Sequence, residues 1–314
     1  MAGRNYTVVT EFFLIAFTER PEWGPPLFPV FLSFYLLTLL GNAGMIILIR
    51  KDRRLHTPMY FFLSHLSFVD ICYSSVIIPQ LLAVLLEHGT AISQARCAAQ
   101  FFLFTFFASL ECYLLAIMAY DRYVAVCRPL LYVIIMTERA RWGLVAGAYV
   151  AGFSSAFVRT VTAFSLSFCG NNEINFIFCD LPPLLKLICG DSYIQEVVII
   201  VFAIFVMPAC ILVILVSYLF IIVAVMQICS AGGWAKSFST CASHLTAVAL
   251  FFGTLMFMYL RDNSGQSSEE DQVVSVLYTV VTPMLNPLIY SLRNKEVKDA
   301  VMKALSRSKT SGSL

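Results

Sequence analysis

The stretch "MAYDRYVAVC", residues 118–127, sets Asp121 and Arg122 side by side in a run that is otherwise almost entirely apolar. Two adjacent charges are expensive inside a helix buried in lipid. The first question is therefore whether this run lies in a membrane. Of the 314 residues, 59% are hydrophobic and only 13% are charged, about half the charged share of a soluble domain. One core cannot bury so much apolar surface, so much of it is expected to face lipid. Roughly 20 consecutive, mostly apolar residues cross a bilayer as a helix. Seven stretches meet that length: about 26–49, 58–86, 99–127, 142–166, 195–227, 240–260 and 272–292. Lipid offers no partner to free N–H and C=O groups, so each is expected to be helical. The expected fold is an all-α membrane protein, a seven-transmembrane helix bundle. The third span is least apolar at its inner end, and Pro283 and Pro287 interrupt the seventh.

Orientation follows from the distribution of Lys and Arg. The side holding residues 50–57, 122–141, 228–239 and 293–314 carries 15 of the 21 basic residues, and the other side carries 6. This predicts an extracellular N-terminus and a cytosolic C-terminus. The apolar run "FFLIAF" near the start is shorter than a signal-peptide core, so the first span is expected to serve as the targeting signal. From Asn294 the chain reads as a short amphipathic eighth helix, with Val297, Ala300, Val301, Ala304 and Leu305 at helical spacing, suited to the inner membrane surface. The expected organisation is an extracellular segment (1–25), the seven-span domain (26–292), and a cytoplasmic helix and tail (293–314).

Cys97, Cys169, Cys179 and Cys189 fall on the outer side, where disulfides persist. Four cysteines allow three connectivities, and spacing does not choose among them. "NYT" at Asn5–Thr7 is a glycosylation acceptor on the same side. No nucleotide loop or hydrolase motif is present. The four histidines (His56, His65, His88 and His244) are scattered over different elements, which gives enzymatic or metal chemistry little support.

Asp70, Glu111, Asn42 and Asn286 lie within spans, and such groups usually turn inward and pair. From Glu111 to Arg122 is 11 residues, about 1,100° of helix, so both share one face to within about 20°. Phe104 and Met118 join that stripe. Asp70 sits at a depth similar to Glu111, and two nearby carboxylates do not both ionise cheaply. They could share a proton, hold a cation such as sodium, or bind water. Packing alone is the plainer reading, as is a snorkelling Arg for Arg122.

The flanking residues shift that balance. "GN" (41–42), "LHTPMYFFLSHLSFVD" (55–70), "MAYDRYVAVCRPLLY" (118–132), "SY" (217–218), "KSFSTCASHLTAV" (236–248) and "PMLNPLIYSLRN" (283–294) occur in fixed order. Together they resemble the olfactory receptors of the tetrapod type, within the rhodopsin-like G-protein-coupled receptors, over about residues 5–305. The resemblance implies that Asp121, Arg122, Tyr123, Tyr218, His244, Asn286, Pro287 and Tyr290 form an activation switch. In it, Asp121 neutralises Arg122 at rest, and the Arg122 face is uncovered when the sixth span swings outward. It implies a ligand pocket in the outer half, at Phe104, Thr105, Ala108, Ser109 and Cys112 on the third span and Phe202 and Val206 on the fifth. The sixth and seventh spans would add Phe252, Leu255, Met256, Tyr259, Ser275 and Thr279. Such a lining suits a small neutral volatile molecule. The resemblance also implies a Cys97–Cys179 bridge, which leaves Cys169–Cys189 as the second.

The expected partners are an odorant, a heterotrimeric G protein of the olfactory stimulatory type acting through cAMP, and membrane lipids, with no nucleic acid. The expected location is the plasma membrane. Two positions depart from the family pattern. Phe252 stands where Tyr is usual, and Trp234 stands in the short inner loop where a basic residue is usual. The alternative is a cation or proton transporter or channel using Asp70 and Glu111. Against it, no internal repeat or pair of matched broken helices is visible.

Overall fold

The computed structural model describes residues 10–17, 24–87, 89–168, 172–185, 187–188, 193–227, 231–260, 268–293 and 296–303. Helices α1 (Gly24–Lys51), α2 (Pro58–Glu87) and α3 (Gln94–Cys127) are followed by the short α4 (Pro129–Ile135) and by α5 (Glu138–Phe164). After a one-turn α6 (Leu181–Leu185) come α7 (Tyr193–Gln227), α8 (Ala231–Leu260), α9 (Ser268–Val276) and α10 (Thr282–Arg293). Among the described residues, six stretches have the length and hydropathy to cross a bilayer, and Cys241–Phe257 within α8 is a shorter apolar one. The seventh crossing is α9 and α10, joined by a π-turn over Leu277–Val281. The seven-helix bundle expected from the sequence is the fold.

α3 is the axis of the bundle. Along it Phe104, Glu111, Met118 and Arg122 are all buried, as the shared helical face requires. The outer helices instead present apolar side chains outward. Leu40 on α1, Val150 on α5, and Leu212 and Leu219 on α7 are each more than half exposed, a pattern that hydrocarbon satisfies and water does not.

Proline positions organise the seventh crossing. Pro283 has no N–H, and its ring would crowd the carbonyl four residues back. The backbone widens there into the π-turn, with the Thr282 N–H bonded to the Leu277 carbonyl. The extra residue brings Tyr278, Thr279 and Val280 successively into the interior. Pro287 leaves the Pro283 carbonyl without its helical donor. The Asn42 amide of α1 donates to that carbonyl at 3.0 Å. Gly41 makes this approach feasible, because a Cβ there would meet Pro287 Cγ at 3.0 Å. "GN" in α1 and "NP" in α10 are thus two halves of one contact.

Three features differ from the sequence reading. The segment containing "FFLIAF" forms a strand, β1 (Glu11–Leu14), pairing antiparallel with β2 (Thr90–Ser93) and parallel with β3 (Glu173–Ile174). It closes the outer end, with Phe12 and Leu14 buried. Gly89, at φ +131°, turns the chain into β2 where a Cβ would collide with the Phe13 ring. Second, α8 starts at Ala231, so Trp234 is helical rather than in a loop; its side chain lies outside the described residues. Third, α5 starts at Glu138, capped by the Thr137 hydroxyl, four residues ahead of the expected span.

At the inner end, residues 296–303 are helical. Val297 and Ala300 turn inward, whereas Val301, which its spacing places on the same apolar face, is exposed along with Met302; Ala304 and Leu305 lie outside the described residues. The Tyr60 hydroxyl donates to Glu296 at 2.9 Å and ties this helix to the start of α2.

Candidate functional site: an outer chamber, an acidic centre and an inner switch

Three polar levels lie along α3. The outer level is built around Phe104. Its ring stacks on Tyr73 of α2 at 5.7 Å, and meets Phe178 at 4.6 Å and Tyr278 at 6.4 Å. Phe178 belongs to the outer connection, which is clamped onto α3 in two ways. Cys97 and Cys179 are joined by a disulfide. The Cys179 N–H donates to Gln100 Oε1 at 3.0 Å, while Gln100 Nε2 donates to the Val76 carbonyl at 3.1 Å. The connection is therefore a fixed roof over the outer half of the bundle.

Below it, Thr105, Ser109, Cys112, Phe252, Leu255, Ser275 and Thr279 are buried, and Ala108 and Val206 are half-buried. Met256 is the exception. It is 40% exposed, off the buried stripe of Phe251, Phe252 and Leu255, because one helical step turns it about 100° away. Phe202 and Tyr259 lie on α7 and α8, but their side chains fall outside the described residues. Most hydroxyls here are committed to their own helices. Ser109 donates to the Thr105 carbonyl, Ser275 to Gln272 and Thr279 to Ser275. Thr105 Oγ1 is different: it is buried with no hydrogen-bond partner. Among these hydroxyls it is the one not committed to a backbone carbonyl.

Asp180 was not foreseen. Next to the disulfide and wholly buried, it accepts the Leu181 N–H at 2.7 Å and the Tyr278 hydroxyl at 3.5 Å. Burial pushes its pKa up to about 6, against the opposing pull of the Leu181 N–H, Arg159 and Tyr278. The sign follows from linkage. The folded state binds the proton more tightly than the unfolded chain, so stability falls as pH rises from near 4 through about 6. Asp180→Asn should remove that dependence and raise stability at pH 7 by roughly 3 kcal/mol at most. Thermal melting of both proteins at pH 5 and pH 7 checks this; equal pH slopes would count against it.

The acidic centre holds Asp70, Glu111 and Asn286, all buried. Asn286 Nδ2 donates to both Asp70 oxygens, at 3.2 and 3.1 Å. Both Glu111 oxygens and Asn286 Oδ1 are buried without a hydrogen-bond partner. Partnerless buried oxygens call for a proton, a water or a cation. The donor set is all oxygen, which suits a hard cation.

The inner level corrects one expectation. No Asp121–Arg122 ion pair forms; among the described residues the one ion pair is Arg54–Asp52. Asp121 instead accepts the Tyr132 hydroxyl at 2.9 Å, where α4 folds back on α3. Arg122 turns the other way on the helix, toward the Cys241 thiol of α8. Its Nε is buried and without a hydrogen-bond partner. Tyr218 and His244 join α7 to α8 through a 2.8 Å hydrogen bond, and His244 Nε2 lies 3.1 Å from the Leu115 carbonyl. A carbonyl only accepts, so Nε2 carries the proton and Nδ1 receives the Tyr218 hydroxyl. Tyr290 is buried nearby, its hydroxyl without a hydrogen-bond partner. Tyr123, by contrast, packs outward against Phe220 at 5.7 Å. Asn5, Cys169 and Cys189 lie outside the described residues; Phe168 and Ile188 pair as an isolated bridge.

Comparison with known proteins agrees with this architecture. The olfactory receptor family model matches residues 31–308. The chain is 85% identical to human Olfactory receptor 9Q2 over 309 residues, 98% of each chain. It is 72% identical to human Olfactory receptor 9Q1 over 99% of this chain and 100% of that one. With mouse Olfactory receptor 5AP2 the identity is 54% over 96% of each. The chain belongs to the olfactory receptor family of rhodopsin-like G-protein-coupled receptors.

Proposed function

We propose that this receptor binds a small, neutral, volatile and largely apolar odorant in the chamber under Phe178, and signals through a stimulatory G protein to raise cAMP. The observation that carries the ligand reading is the chemistry of the side chains gathered under Phe178. Aromatic and aliphatic side chains dominate it, the Ser109, Ser275 and Thr279 hydroxyls are spent on backbone carbonyls, and Thr105 Oγ1 is left to fix one polar atom. Apolar walls with a few placed polar groups are what a small hydrophobic ligand needs. The basic-residue asymmetry supports an extracellular N-terminal segment (1–25) with Asn5 glycosylated, a membrane domain (26–292) and a cytosolic C-terminal part (293–314). That orientation puts the chamber outside and the Arg122 level at the G protein, in the plasma membrane. Asp70, Glu111 and Asn286 would hold a proton or a sodium ion, in keeping with their partnerless oxygens.

The test is a panel of volatiles applied to cells expressing the full chain, read as cAMP. Alcohols, ketones and esters of moderate size should activate, with Thr105→Val losing about tenfold in potency for a ligand that spends a hydrogen bond there. Responses confined to charged ligands, or none that raises cAMP, would defeat the reading.

A further inference from the structure

A cleft of about 770 Å³ opens between the inner halves of α1, α2 and α5, far from the odorant chamber. Its mouth carries Arg50, from the last turn of α1, and Arg141, from the first turn of α5. Its walls are aromatic. The Arg141 guanidinium lies over the Phe61 ring at 5.4 Å, and Phe61, His65 and Trp142 pack edge to face at 4.9–5.7 Å. Tyr149 lines the deep end, eight residues from Arg141 and therefore about 12 Å further along α5. That depth approaches half the ~30 Å hydrocarbon core. The cleft is thus cationic where a headgroup layer would lie and apolar below it. It opens sideways to lipid, since Trp142 and Phe68 on its rim are 52% and 47% exposed.

The charges at the mouth are uncommitted. Glu138 is the single carboxylate on the lining, and it makes no ion pair with Arg50 or Arg141. Asp121 is within electrostatic reach of Arg141, but its carboxylate is taken up by Tyr132. Arg141 lines the cleft and makes no ion pair among the described residues, and a phosphate offers several acceptors in the geometry an arginine fork prefers. We infer that this cleft is a site for one anionic phospholipid of the inner leaflet, its phosphate between Arg50 and Arg141 and an acyl chain along Phe68 and Tyr149. Two cations against one carboxylate favour an anionic headgroup over a zwitterionic one, as basic pockets between spans on the cytoplasmic side do.

Native mass spectrometry of the full chain in detergent, titrated with phosphatidylserine, phosphatidylcholine or cholesterol, tests this. One phosphatidylserine per chain should be retained in preference to the other two. Arg50→Gln and Arg141→Gln should each weaken retention about fivefold. Arg141→Lys should retain most of it, and Arg53→Gln, outside the cleft, should match wild type. Cholesterol or phosphatidylcholine retained equally well would overturn the proposal, as would phosphatidylserine retention untouched by either glutamine variant. So would an absence of bound lipid.

Discussion

Arg122→Ala is expected to cut the proposed odorant-driven cAMP response strongly while leaving surface expression and odorant binding close to wild type. Arg122 is 11 residues from Glu111, about 16 Å along α3, and about 27 Å from Phe104, too far to touch a small ligand under Phe178. The structure also shows why truncation should spare the fold. Arg122 holds no ion pair, and its Nε has no hydrogen-bond partner. Its removal therefore strands no partner charge, the usual source of large penalties. What it does lie near is Cys241 on α8, together with the Tyr218–His244 link between α7 and α8. Those elements are the ones expected to separate on activation, and an arginine freed there would meet the G protein. A ligand shifts such an equilibrium only through differential affinity for the two states. Coupling of this kind is typically about 1–3 kcal/mol, so losing it should cut the response about 5- to 150-fold, with small changes in binding. Surface labelling alongside cAMP accumulation measures both. A variant that reaches the surface and signals at wild-type amplitude would make Arg122 an interfacial anchor only.

The spans and the inward face of α3 were legible because lipid imposes length and helical period on any sequence that crosses it. Phe104, Glu111, Met118 and Arg122 repeat at a spacing that only a helix brings together. The meeting of Asp70 with Asn286 was half legible. Both lie within spans and were bound to turn inward, but the 3.1–3.2 Å contact depends on the rotation of α10, which the π-turn before Pro283 sets. Asp121 was assigned to its sequence neighbour, although consecutive helical residues point about 100° apart. Tyr132, in the quoted "CRPLLY", was the available signal for its true partner. β1 was illegible for another reason. Four residues carry too little pattern, and its partners, β2 and β3, are brought close only by the assembled bundle and the Cys97–Cys179 bridge. Asp180 was missed because nothing in the local sequence says that a loop carboxylate beside a cysteine will be buried.

Cys97→Ser should cause the other large effect, on folding rather than on signalling. The bridge joins residues 82 apart, and closing a loop of that length stabilises by about 4–5 kcal/mol in a chain-entropy model, a large part of the roughly 5–15 kcal/mol that holds a typical domain together. The bridge fixes more than its own loop. It seats Phe178 on Phe104, sets the Cys179 N–H against Gln100, and brings the buried Asp180 to Tyr278. Without it the outer connection must pay its ordering entropy from those contacts alone. Surface expression should therefore fall severely, and what reaches the surface should respond weakly to odorant. Gln100→Ala separates the two clamps, since losing that hydrogen-bonded side chain should cost only about 1–3 kcal/mol. The double variant Cys97→Ser/Cys179→Ser should match Cys97→Ser, because both remove the same cross-link. Surface labelling and thermal melting across the three variants check the order. If Cys97→Ser keeps wild-type expression and melting while Gln100→Ala does not, the hydrogen bonds and not the bridge hold the roof in place.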